Sequence, residues 1–130
     1  MSREQWRKMS VEPALLYTAH SAPMQMAFYA GEAFPAEYRG NAFVAMRGSW
    51  NRKPPSGYEV ARVRFDAQGK PQKIEPFATD WLVPEGESRW GHLGRLAGLA
   101  VARDGALLVS DDKNGVIYRI SHQPRQARAR

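Results

Sequence analysis

The sequence predicts an all-β chain, and three observations carry that prediction. Short apolar runs rich in Val, Phe, Tyr and Ile recur from about Met24 to Ile120. Between them lie residues that tolerate positive φ: Asp66-Ala67-Gln68-Gly69, Asp104-Gly105 and Lys113-Asn114-Gly115. Two runs, Ala42 to Met46 and Ala106 to Val109, are continuously apolar instead of alternating. A strand of that kind is buried on both faces, so sheets must stack on sheets.

The elements follow in chain order. The opening MSREQWRKMS is basic and polar, and Glu12 and Pro13 interrupt it before Ala14, Leu15 and Leu16. No export-signal core forms there, and residues 1–19 are read as a lead-in. Strands are expected over Met24 to Tyr29, Asn41 to Met46, Tyr58 to Phe65, Lys73 to Ala78, Leu99 to Ala102, Ala106 to Ser110 and Val116 to Ser121. In the third of these, Tyr58 and Val60 point to one face and Val63 and Phe65 to the other, so it too is apolar on both sides. The basic end, residues 122–130, is read as a solvated, disordered tail.

A faint repeat links the two halves. Met26-Ala27-Phe28-Tyr29 matches Leu99-Ala100-Val101-Ala102, and Gly40-x-Ala-Phe-Val-Ala matches Gly105-x-Leu-Leu-Val-Ser. Each copy is followed by a Gly-led strand ending Arg62-Val63 or Arg119-Ile120. Repeated antiparallel units that want burial on both faces are the pattern of propeller blades. Residues 20–121 are therefore expected to form a β-propeller segment, about one complete four-stranded blade plus three strands of the next. Two blades cannot close a ring, so unless copies of the chain associate, it is expected to be the C-terminal part of a larger protein or a truncated product.

Composition narrows the classes. The chain has 130 residues, 43% hydrophobic and 25% charged, which suits one globular unit. No apolar run is long enough for a membrane helix. Cysteine is absent, which removes disulfides, thiolate catalysis and Cys-ligated zinc. The net charge of +6 raises a polyanion as a partner, yet the basic residues gather at the ends: Arg3, Arg7 and Lys8 at one, Arg125, Arg128 and Arg130 at the other. Inside, only Arg47, Arg52 and Lys53 lie close together.

Five stretches carry a family resemblance: His20-Ser21-Ala22-Pro23 with Ala27-Phe28-Tyr29, Phe34-Pro35-Ala36-Glu37-Tyr38-Arg39-Gly40, Arg47-Gly48-Ser49-Trp50-Asn51-Arg52 with Gly57-Tyr58-Glu59-Val60, Gly94-Arg95-Leu96-Ala97-Gly98, and Asp104-Gly105 through Asp112. Together they resemble the C-terminal blades of the soluble quinoprotein sugar dehydrogenases, the glucose/sorbosone dehydrogenase family of six-bladed propellers. The resemblance implies oxidation of a sugar aldehyde or anomeric carbon by hydride transfer to pyrroloquinoline quinone (PQQ), with the remaining blades, a sugar and an electron acceptor as partners. It also implies a periplasmic setting, whereas the 130-residue chain expressed by itself, without a signal peptide, is expected in the cytoplasm.

A planar quinone with three carboxylates needs cationic forks and flat surfaces. Arg47, Trp50, Arg52 and Arg95 are the candidate cofactor-binding residues, Arg47 directly after a buried strand and Arg95 just before one. Where the family pattern is Gly-Arg-Pro-Val-Gly, this chain has Leu96 and Ala97, and without the proline a less rigid loop around Arg95 is expected. Trp81 and Trp90 are read as packing residues. The family's histidine base lies in an earlier blade and nothing in this chain matches it, so no catalytic residue is assigned. Of His20, His92 and His122, His20 is the foremost candidate base and His122 is discounted. Calcium is implied for the full-length family, but Asp111, Asp112 and Asn114 are read as turn residues, so no metal ligands are assigned.

Two other classes are weighed. One is a non-catalytic propeller interaction module. The other is nucleic-acid binding by a stacking patch of Trp50, Tyr58 and Arg52, which the even spread of interior charge disfavours.

Overall fold

The computed structural model describes residues 1–87 and 89–123. Its strands form three antiparallel sheets. The first sheet has the order β1-β2-β3-β4, from Pro23–Phe28, Ala42–Met46, Glu59–Phe65 and Pro71–Ala78. A two-stranded hairpin follows, β5 (Leu82–Pro84) with β6 (Trp90–His92). The last sheet is β7-β8-β9, from Leu96–Val101, Leu107–Asp111 and Val116–Ile120. Four strands and then three were expected, and the intervening hairpin was not.

The repeat is realised in the pairing register. Phe28 faces Ala42 and Ala42 faces Val63 in the first sheet. Val101 faces Leu107 and Leu107 faces Ile120 in the last. These are the positions that the two sequence copies equate, so both copies build the same three-stranded unit.

The two sheets stack. Phe43, Ala45 and Val60 of the first pack with Leu99, Leu107 and Val109 of the last, around Tyr29 and Phe34. Tyr29 stacks on Phe34 at 5.0 Å and meets Phe43 edge-on at 5.7 Å. Its hydroxyl donates to the Gly105 carbonyl (2.8 Å) and accepts from the Phe34 amide (2.9 Å). From β1, the Gln25 side-chain oxygen accepts the Leu99 amide at 3.0 Å. The sheets are thus joined by apolar packing and by hydrogen bonds that satisfy buried polar groups.

β2 is buried at every position. Its other face, Ala42, Val44 and Met46 with Ala61 and Val63 of β3, packs under Leu15 and Tyr17 of the incoming chain. The two-faced burial expected of β2 and β3 is present. β8 differs: Leu107, Val109 and Asp111 are buried, while Leu108 and Ser110 are only half-buried. One face of the last sheet has a partner sheet among the described residues and its outer face has none, so the two-faced burial expected of Ala106 to Val109 is seen on one side only.

The lead-in also holds a feature that apolar periodicity does not reveal. Arg3–Met9 forms a short α-helix, α1, closed by a reciprocal capping box between Ser2 and Gln5 and burying no residue. No helix among the described residues is long and apolar enough to cross a membrane. Most of the predicted basic tail, residues 124–130, lies outside the described residues.

Candidate cofactor cleft

The loop after β2 opens a cleft of about 970 Å³ between itself, the β5–β6 hairpin and the start of β7. The loop is held to the body by its backbone. The Arg47 amide donates to Ala22 O (2.9 Å), Gly48 to Ser21 O (3.0 Å) and Ser49 to Ser56 O (2.9 Å). The Tyr58 hydroxyl donates to Ser49 O at 2.6 Å. Gly48 has φ +100°, and a Cβ there would lie 2.3 Å from the Tyr58 ring. Glycine is required at this point by conformation and by space together.

All four predicted residues line this one cleft. Arg47 leaves the end of β2 and its Nη1 donates to Asp112 Oδ2 at 2.5 Å. Arg95 enters β7 with its Nε 3.5 Å from Asp112 Oδ1, an ion pair without hydrogen-bond geometry. The Arg52 Nε is likewise buried without a hydrogen-bond partner among the described residues. Trp50 stands on the rim, 91% exposed. Lys53 and Arg89 complete the lining cations, and no acidic side chain lines the cleft among the described residues.

Arg95 is held firmly despite the missing proline. The Asp111 carboxylate accepts from the Arg95 amide at 3.0 Å, and the Asp112 amide donates to Arg95 O at 3.1 Å. A Cβ on Gly94 would stand 2.1 Å from Asp111 Oδ2, so the close approach depends on glycine. Side-chain and backbone hydrogen bonds from the end of β8 hold this loop where the family pattern has a proline. Burial pushes the Asp111 carboxyl up. The Arg95 amide, the Asn114 side chain, the Tyr118 hydroxyl and the Asn114 amide together outweigh it and pull it down to about 2.

Three residues take places at the cleft that the sequence analysis did not assign to them. His92, at the end of β6, lines the cleft with its ring 5.2 Å from that of Tyr58. Burial, with the Lys113 and Arg95 charges, lowers its pKa, against smaller opposing effects of Glu85 and Asp111. This favours the neutral imidazole, the form able to accept a hydrogen bond. Trp90 also lines the cleft and is half exposed, so the reading of it as packing is corrected. Trp81 does pack, 5.4 Å from Tyr118. Asp112 is the third. A three-residue strand has too few positions for periodicity to show it, and contacts between segments far apart in sequence leave no local pattern.

His20, the foremost candidate base from sequence, has φ 67° and lines a separate apolar groove instead. Tyr58 is buried with its hydroxyl bonded to the backbone, so it does not form an exposed stacking surface with Trp50. Among the described residues no group of three or more His, Cys, Asp or Glu is placed to hold a metal ion. Asp111 and Asn114 act as turn residues, Asp111 Oδ1 accepting the Lys113 and Asn114 amides.

The TrAA12-like family profile matches residues 2–123. The chain belongs to the TrAA12-like family. A pyrroloquinoline quinone-dependent pyranose dehydrogenase of Coprinopsis cinerea is 34% identical over 125 residues, covering 85% of this chain and 16% of that protein. The holo form of the pyranose dehydrogenase PQQ domain from the same organism superposes with a TM-score of 0.61 at 31% identity, over 92% of this chain and 31% of that one. The iodide structure of a Trichoderma reesei carbohydrate-active enzyme of family AA12 superposes with a TM-score of 0.66 at 23% identity, over 90% of this chain and 29% of that one, a likeness of fold alone. The chain spans between 16% and 27% of the curated relatives it matches.

Proposed function

We propose that this chain supplies one wall of a PQQ site in a quinoprotein sugar dehydrogenase, with Arg47, Arg52 and Arg95 facing the cofactor carboxylates and Trp50 and Trp90 offering flat surfaces. One observation carries the reading. A cleft lined by five cations and no carboxylate among the described residues keeps two guanidinium Nε–H groups, of Arg52 and Arg95, buried without a hydrogen-bond acceptor. An unsatisfied buried donor costs on the order of 1–3 kcal/mol, more when charged, so the Arg52 Nε–H, which has no carboxylate beside it among the described residues, marks where an anionic ligand is wanted. A flat tricarboxylate fits that donor set.

Bound there, the quinone would accept the hydride from the sugar carbon undergoing oxidation. The residues of this chain bind and orient. The arginines fix the carboxylates, the tryptophans cover a ring face, and neutral His92 offers a hydrogen-bond acceptor. The base, any calcium ligands and the electron acceptor's docking site are assigned to other parts of a longer protein, in which the two stacked sheets are neighbouring blades of a propeller. The Coprinopsis cinerea pyranose dehydrogenase and its PQQ domain support PQQ and sugar oxidation, and whether the sugar is a pyranose, glucose or sorbosone falls to the other walls of the site. The non-catalytic module draws on the apolar groove. We assign that groove to a neighbouring sheet, because the face beneath it has the same character as the face already covered by β7–β9.

Titration of the chain with PQQ, followed by tryptophan fluorescence, tests the reading. Saturable quenching is expected, weakened about tenfold or more by Arg52→Gln, which removes a charge-assisted contact worth roughly 1.5–3 kcal/mol. Quenching that is absent, or indifferent to Arg52→Gln and Arg95→Gln, overturns it.

A further inference from the structure

Two long side chains from different sheets converge on one carboxylate. Arg47 follows β2 in the first sheet, and Arg95 precedes β7 in the last. The packing of the two sheets brings these like charges near one another. Asp112 lies between them, with Oδ2 accepting from Arg47 Nη1 at 2.5 Å and Oδ1 lying 3.5 Å from Arg95 Nε. The carboxylate itself is anchored. Its own amide donates to Arg95 O at 3.1 Å, and the neighbouring Asp111 accepts the amides of Arg95, Lys113 and Asn114 at 3.0, 2.9 and 3.2 Å. The backbone that carries Asp112 is therefore fixed on both sides before its side chain reaches an arginine.

We infer that Asp112 is a positioning residue, a carboxylate that couples Arg47 to Arg95 across the junction of the two sheets and presents them as one anion-binding pair. The inference rests on the proposed PQQ site only for its ligand. Arginine offers five donors in a planar fork, so a carboxylate held on one edge leaves other N–H groups free for a ligand and fixes the plane in which they lie. A fork that is already oriented loses less freedom on binding. Asp112 is half exposed, as is Arg95, so the contact adds little to folding, and its effect should be felt in binding.

The sign of one substitution separates this role from simple charge balance. PQQ is an anion, so deleting a nearby bystander carboxylate strengthens its binding through the more positive field. Deleting a positioning carboxylate weakens it, because the arginines splay apart. Asp112→Asn in the 130-residue chain is therefore expected to weaken PQQ binding about fivefold, with Asp112→Glu recovering part of the loss. Coupling gives the second readout. Arg47→Gln and Arg95→Gln should combine non-additively in the wild-type background, departing from the product of the single effects by about fivefold, and multiply cleanly in the Asp112→Asn background.

A third readout needs no ligand. The Arg47 Nη–H resonances in ¹⁵N-labelled protein, whose donor Asp112 Oδ2 holds, should exchange slowly with water in the wild type and fast in Asp112→Asn. If the wild type fails to bind PQQ, the proposed function falls and these resonances alone decide the inference. Tighter or unchanged PQQ binding in Asp112→Asn overturns it, and so does an Arg47 Nη–H signal that the substitution leaves unmoved.

Discussion

Asp111 sits 2% exposed at the end of β8 and accepts hydrogen bonds from the Arg95, Lys113 and Asn114 amides, the Asn114 side chain and the Tyr118 hydroxyl. Its carboxyl is held near 2, below the ordinary 3.8. A depressed folded-state value contributes stability that is fully present above the unfolded value. That stability is lost as pH falls through the window from about 4 to about 2. The displacement corresponds to roughly 2 kcal/mol. Denaturant unfolding at a series of pH values should therefore show wild type losing on the order of 2 kcal/mol more than Asp111→Asn across that window, and starting from a higher stability at pH 7. Equal slopes for the two proteins would remove Asp111 as the keystone of the turn. The same residue shows how far the site is legible. Arg47 and Arg95 can be found because each adjoins a recognisable strand. The carboxylates that hold them cannot, since Asp111 and Asp112 look like any polar turn until β8 is placed beside Gly94.

At the scale of elements, legibility tracks length and repetition. β1 to β4 and β7 to β9 run for five to eight residues and carry the repeat, so pattern and turn chemistry place them within about two residues, except that β7 starts three residues earlier than expected. β5 and β6 have three residues each, one reading Trp-Gly-His, and offer no period to detect. α1 escapes for a different reason: it buries nothing, so its sequence lacks an apolar stripe, and only Ser2 and Gln5 announce it. How the elements are joined depends on single groups. The Tyr29 hydroxyl, on a side chain that is 1% exposed, bridges Gly105 O and the Phe34 amide. Tyr29→Phe keeps the ring packing and leaves both backbone groups buried without that partner. The expected loss is about 2–3 kcal/mol in urea unfolding, with amide exchange accelerating at Phe34 before the β3–β4 ladder is affected. A loss within a few tenths of a kcal/mol would mean that water satisfies those groups, and that the two sheets are held together by apolar packing alone.

For the molecule as a whole, the decisive feature is the outer face of the first sheet. An apolar groove of about 890 Å³ runs there, between the segment around Leu15 and Tyr17 and the strands beneath. Tyr17 closes one end, its hydroxyl donating to Glu59 at 2.6 Å, and both burial and that carboxylate raise its pKa. The other end is open. Met24, Met26 and Phe28 of the edge strand β1 are 52%, 53% and 60% exposed. A contiguous apolar surface beside an unpaired strand edge favours association. The opposite face of the same sheet, of similar composition, is already covered by β7–β9, which shows what kind of surface satisfies it. The isolated chain should therefore sediment above its 14.6 kDa monomer mass, increasingly so as concentration rises. Replacing Met24, Met26 and Phe28 together with Thr keeps strand propensity while removing the apolar surface, and should return the chain to monomer with its far-UV spectrum unchanged. Wild-type chain that stays monomeric across the concentration range would show that the segment around Leu15 and Tyr17 covers the face sufficiently by itself, and the need for a neighbouring sheet on that side would lapse.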